Sequence, residues 1–149
     1  MLKYPIPYQL KDDDQLCFLH IGKNGGLTLV DILDSMFPEA QICPPHHYTV
    51  FLKNFKHNEE SLKNFRLFRG HFEYDIYKHL PKKPIYITVL RHPLERTRSV
   101  YQHIKTGTHA KKSLVENMSL EEYVNGGAWL TIDSYNWQTR VITSNRKHN

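Results

Sequence analysis

Residues 16–28 read LCFLHIGKNGGLT, and this stretch decides the fold. Leu16 to Ile21 is a short apolar run with the length of a buried strand. Gly22 to Gly26 punctuates it. From Leu27 to Phe37 the spacing turns helical: Leu29, Val30, Leu33 and Phe37 fall on one face, and Pro38 ends the run. The first unit is therefore strand, glycine-containing loop, helix. A helix start presents free backbone N–H groups and a positive dipole end, which suits an anion. Gly25 and Gly26 let the backbone approach phosphate oxygens with no side chain in the way. Asn24 keeps the loop polar, Lys23 brings a mobile positive charge, and Thr28 brings a hydroxyl into the first turn. The kinase-type loop, G-x-x-x-x-G-K-[ST], sets its lysine after the last glycine, beside a magnesium-binding hydroxyl. Here Lys23 precedes the glycines, and the kinase-type pattern occurs nowhere else in the chain. The stretch reads as a phosphate loop without a metal; the bland alternative is a plain turn with a surface lysine.

A second unit of the same kind lies downstream. Ile85 to Leu90 (IYITVL) is β-branched and aromatic and bounded by the Pro81–Pro84 turn, which predicts a strand. Arg91-His92-Pro93 closes it, and Leu94 to Ile104 reads as a helix starting just after a proline. Arg91 sits at the strand end and Ser99 eight residues further, inside the helix. The planar fork of an arginine matches phosphate oxygens. Arg96 and Arg98 add charge, or simply form a basic solvated face. Between the two units, Pro44 to His47 reads as a loop, residues 50–65 as an amphipathic segment able to hold a helix, and Phe65 to Gly70 as a further strand. Ser119 to Glu122 matches a capping box, with a short helix running to about Asn125 until Gly126-Gly127 stops it. A last helix is predicted from near Asp133 toward the C-terminus. Strands separated by helices predict an α/β, three-layer architecture, a parallel sheet flanked by helices. Ligands of such sheets bind at the carboxyl ends of the strands, where residues 22–28 and 91–99 both fall.

Composition bounds the rest. The chain has 149 residues, enough for one domain with a real core. Its net charge is +5 with ten histidines counted neutral, a balance that favours anionic partners. The two cysteines, Cys17 and Cys43, form no CxxC, and Cys17 lies in an apolar run as a small buried hydrophobe. This usage fits a reducing compartment. No apolar stretch is long enough to span a bilayer, and the first residues lack a signal-peptide pattern. A soluble, cytoplasmic protein is the expectation.

Two motifs carry a resemblance. HIGKNGGLT (20–28) and RHPLERTRSVY (91–101) together resemble the carbohydrate sulfotransferase family, in the branch that contains heparan sulfate 2-O-sulfotransferases. The family's first motif typically reads H-I-P-K-T-G-G-T-[TS]; Gly22, Asn24 and Leu27 depart from it, and His20, Lys23, Gly25, Gly26 and Thr28 match. Its second motif, R-[DH]-P-x-x-R-x-x-S-x-Y, is matched at every fixed position. RGHFEY, SLEEYV and YNWQTR extend the likeness more loosely. The resemblance implies a P-loop-like sulfotransferase fold over residues 16–149, C-terminally incomplete, behind a tail of residues 1–15. It implies 3'-phosphoadenosine 5'-phosphosulfate (PAPS) as donor and a hydroxyl-bearing acceptor, a glycan. It implies neither a metal nor a nucleic-acid partner. Lys23 would stabilise the leaving bridging oxygen. Asn24, Gly25, Gly26, Leu27 and Thr28 would hold the 5'-phosphate through backbone N–H groups, and Arg91 and Ser99 the 3'-phosphate.

Arg69-Gly70-His71-Phe72 follows a plausible strand and is similar to the family's Gly-His segment, where the histidine serves as base; an imidazole titrates near neutrality and can take a hydroxyl proton. His20 is the second candidate for the base, while its place within a strand reads as packing or loop support. His46-His47 lacks a third ligand at matched spacing. Asn136, Gln138 and Arg140 in YNWQTRV are similar to a segment that related enzymes carry near the acceptor cleft, or read as the polar face of a helix with Trp137 turned inward; they are left outside the expected site. Two other classes stay open: a non-catalytic binder of nucleotides or anionic glycans, and a nucleotide kinase or hydrolase with an atypical loop.

Overall fold

A computed structural model describes residues 8–44, 46–55, 60–127 and 136–144. Three parallel strands form the sheet: β1 (Leu16–Leu19), β2 (Leu67–Gly70) and β3 (Ile85–Thr88), in the order β2-β1-β3. Leu16 stands level with Leu67 on one side and Ile85 on the other. All four residues of the central strand are buried, as a parallel strand covered on both faces should be.

Alternation along the strands builds two cores. Leu16 and Phe18 of β1 and Leu67 of β2 face α1 (Leu27–Met36), meeting Leu29, Val30, Leu33 and Phe37, the stripe read from the sequence. Cys17, Leu19 and Phe68 face the other way. There they pack with Phe51 of α2 (Tyr48–Phe55), Leu62 and Ile76 of two 3-10 turns (Glu60–Asn64 and Tyr74–His79), and Val141 of α6 (Trp137–Thr143). The amphipathic segment 50–65 thus holds a helix and a 3-10 turn, with residues 56–59 outside the described ones. Both thiols are buried, and burial pushes the Cys43 pKa up to about 12.

A third cluster lies apart. α3 (Pro93–Thr106), α4 (Lys112–Val115) and α5 (Leu120–Glu122) enclose Val100, Tyr101, Ile104, Val115 and Tyr123. Pro93 opens α3 in its first turn, as expected. The capping box at the start of α5 is formed in both directions, Ser119 Oγ accepting from Glu122 N–H and Glu122 Oε2 from Ser119 N–H. The helix does not run on to Asn125; a wider π-type turn covers Tyr123–Gly127 instead.

Residues 8–15 are fastened to the sheet end. Gln15 is buried and its amide donates to Leu62 O and Phe65 O at 3.1 and 2.9 Å. Residues 1–7 of the expected tail, and Asp133 with the start of the expected last helix, lie outside the described residues. Among the described residues no helix is long and apolar enough to cross a membrane.

Candidate functional site

The two strand-to-helix turns meet at the carboxyl edge of the sheet. After β1, His20 N–H still donates to Gly70 O at 2.8 Å, and the chain then turns sharply. Lys23 takes φ +68°, a left-handed conformation uncommon for a residue with a side chain. Gly25 takes φ +80° and Gly26 φ -78°, ψ -4°. Consecutive residues of opposite hand turn their N–H groups toward one point, an anion-binding concavity. α1 begins there with no side-chain cap and no acidic residue in its first turn, so its positive end faces no carboxylate of its own. Leu27 and Thr28 are exposed at that end.

The two glycines serve different needs. A Cβ on Gly25 would meet nothing, so only its left-handed backbone favours glycine. A Cβ on Gly26 would lie 2.7 Å from His20 Cδ2 and 3.0 Å from the Phe18 ring. The loop is pressed onto the His20 ring, which gives that residue the loop-supporting role expected of it, although β1 ends at Leu19 and His20 lies just past the strand rather than within it.

The second turn reaches back to the first. Asn24 is buried and its Nδ2 donates to Val89 O, just past β3, at 2.6 Å. Arg91 Nη1 donates to Lys23 O at 3.3 Å, and Arg91 also pairs with Glu95 at 3.6 Å on an open surface. Arg96 Nε donates to Gly22 O at 3.2 Å. Ser99 is half-buried on α3, three residues beyond Arg96. The expected donor-site residues Lys23, Asn24, Gly25, Gly26 and Arg91 therefore belong to one contiguous structure.

His71 directly follows β2 and is exposed. Its ring stacks on His20 with centroids 4.8 Å apart and lies 5.2 Å from the ring of His47. His71 Nδ1 is 2.7 Å from the carbonyl oxygen of His20. A carbonyl only accepts, so Nδ1 carries the hydrogen and the neutral ring keeps its lone pair on Nε2. That is the tautomer a general base requires. Lys23 influences the far side: burial first, then Lys23, then His109 hold the His103 pKa below the ordinary imidazole value.

Two readings need correction. Arg96 is not part of a solvated basic face: it is 4% exposed, whereas Arg98 is exposed. Arg96 points inward, where its guanidinium donates to the Gly22 carbonyl, a partly buried group that the turn leaves without a strand partner. Gln138 does not belong to a free polar face. Its amide bonds Asn24 and the backbone of Arg91. No local pattern announces either contact, because each depends on elements far apart in sequence. Trp137 does turn inward, against the core beyond β1.

Among the described residues no group of three or more His, Cys, Asp or Glu side chains is placed to hold a metal ion. A cavity of about 470 Å3 lies beside α1, lined by Asp34, Glu39, Ile42, Pro44, His46 and Arg69, and none of the expected site residues lines it. Comparison with family models, with curated proteins and with solved structures finds no match to this chain.

Proposed function

We propose that this chain carries a sulfotransferase-type nucleotide site, of P-loop-like sulfotransferase fold, that takes PAPS as donor and a hydroxyl-bearing acceptor such as a glycan. One observation carries the reading. The Lys23–Gly26 loop and the arginine-bearing strand end are joined directly, through Arg91 to Lys23 O and Asn24 to Val89 O. A nucleotide phosphorylated at both ends of its ribose needs two such anion sites at a fixed separation.

The residues present suit that ligand. The concave backbone at Gly25-Gly26 and the uncapped start of α1 offer N–H donors to a 5'-phosphate. Arg91 and Ser99 serve the 3'-phosphate from the second turn. Lys23 lies in the loop itself, where its ammonium can neutralise charge growing on a bridging oxygen. The donor supplies the sulfuryl group: the acceptor oxygen bonds to sulfur, the bridging S–O bond breaks, and adenosine 3',5'-bisphosphate leaves. His71, holding its Nδ1 hydrogen against His20 O, takes the acceptor proton on Nε2.

Calorimetric titration with adenosine 3',5'-bisphosphate tests the reading. Wild type should bind it, and Arg91→Ala should bind it at least about tenfold more weakly. Lys23→Ala should keep the fold and lose most of the turnover with PAPS. Absence of binding by wild type overturns the reading; binding without transfer to any acceptor leaves a nucleotide binder instead.

A further inference from the structure

Gln138, on the first turn of α6, makes three hydrogen bonds with one amide. Its Oε1 accepts from Arg91 N–H at 2.9 Å and from Asn24 Nδ2 at 2.8 Å, and its Nε2 donates to Arg91 O at 2.9 Å. Two N–H groups face the oxygen and one carbonyl faces the nitrogen, so the contacts themselves fix which way round the amide lies. The ladder of β3 ends at Thr88, three residues before Arg91. Gln138 therefore satisfies both backbone groups of Arg91 in the place a neighbouring strand would take. Asn24 spends its second amide hydrogen on Val89 O. Loop, strand end and α6 meet at this one side chain.

We propose that Gln138 is a positioning residue that sets Arg91 against the phosphate loop, so that α6 forms part of the donor-binding frame. The inference rests on the donor reading above for its functional consequence. The asymmetry of the contacts gives that consequence a direction. Without Gln138, Asn24 keeps Val89 O as a partner, whereas Arg91 loses both of its backbone contacts to α6. The turn carrying Arg91 would move more than the turn carrying Lys23. Recognition of the 3'-phosphate should suffer more than recognition of the 5'-phosphate.

Gln138→Met keeps the length and bulk of the side chain and removes every hydrogen bond. Calorimetry on the full chain compares adenosine 3',5'-bisphosphate with adenosine 5'-phosphate. The variant should bind the bisphosphate about tenfold more weakly and the monophosphate by less than about threefold, the scale of one or two lost hydrogen bonds. A merely structural role would weaken both alike, and that result, or an unchanged bisphosphate affinity, overturns the proposal. Amide exchange gives a readout that needs no nucleotide. Arg91 N–H should exchange about tenfold faster in Gln138→Met, on the same scale of one lost bond, while Cys17 to Leu19 keep their rates. If wild type binds neither nucleotide the donor reading fails, and the exchange result alone then decides whether Gln138 holds Arg91; an unchanged rate there sinks the positioning role. Should Gln138→Met fail to fold, Gln138→Asn keeps an uncharged amide but draws it back by one methylene from Arg91, and the same ratio of nucleotide affinities is read from it.

Discussion

His20 holds its imidazole between Phe18 and His71, with ring centroids 5.5 and 4.8 Å away, and Gly26 rests on its edge. Burial first, and then the neighbouring His71, hold its pKa below the ordinary imidazole value. The neutral ring is the form that fits. An unfolded chain takes up this proton near pH 6.5, the folded chain only at lower pH. Stability is therefore whole above about pH 6.5 and is lost as pH falls toward and through the folded value. His103 acts in the same direction. Thermal melting should be flat from about pH 8 to 7 and decline as pH falls below about 6.5. His20→Gln should decline less steeply, with His103 carrying the remainder; an identical slope would show that His20 is not the group responsible. Asp13, Asp14 and Glu122 have pKa values held low, mainly by hydrogen bonds from Lys82, from Lys11 and from the Ser119 backbone. Their contribution disappears only below about pH 4, a separate window. At this scale the loop residues were legible in the sequence, because glycines and a lysine between a strand and a helix have few uses. The stacking of His20 on His71 was not, since it depends on β1 and β2 lying side by side.

Elements were most legible where they carry their own punctuation. Pro93 marks the start of α3, and Ser119 with Glu122 marks α5, and both stand where they were expected. The extent of α5 was not legible. Tyr123 is wholly buried in the third cluster, and the chain there follows a π-type turn rather than the expected helical run to Asn125. The strands are four residues each, shorter than the apolar runs that announced them. The ends of those runs, Ile21 after β1 and Val89 with Leu90 after β3, already belong to the strand-to-helix turns. The capping box permits a clean test. Ser119→Ala removes the acceptor for Glu122 N–H and should cost about 1 kcal/mol in urea unfolding. Ser119→Asp restores an acceptor at the cap and should recover most of it. A loss shared equally by the two variants would mean that the cap contributes nothing and that side-chain packing sets the stability.

The whole molecule joins two bodies of unequal kind. A three-stranded sheet is cored on both faces, and α3 to α5 close around a separate cluster that, among the described residues, shares no buried residue with either face. Composition and periodicity revealed the first body, since a parallel sheet needs apolar runs divided by helices. They could not reveal how the second attaches, because a buried cation takes part in it. Arg96 lies on the first half of α3 and donates to Gly22 O, within the loop that follows β1. Its bond links the satellite to the sheet at the point where the candidate site lies. Arg96→Met retains bulk and leaves the Gly22 carbonyl without this donor. A lost hydrogen bond from a charged group should cost about 2 to 3 kcal/mol. Val115→Ala, a cavity inside the third cluster, should cost a similar amount yet act differently. It should loosen α3 to α5 and leave the loop amides of residues 22–26 as protected as before. Arg96→Met should instead raise exchange at the loop and along the start of α3 together, with Val100 to Ile104 less affected. If both variants raise exchange evenly across sheet, loop and satellite, the molecule unfolds as a single unit and Arg96 is not the joint between two.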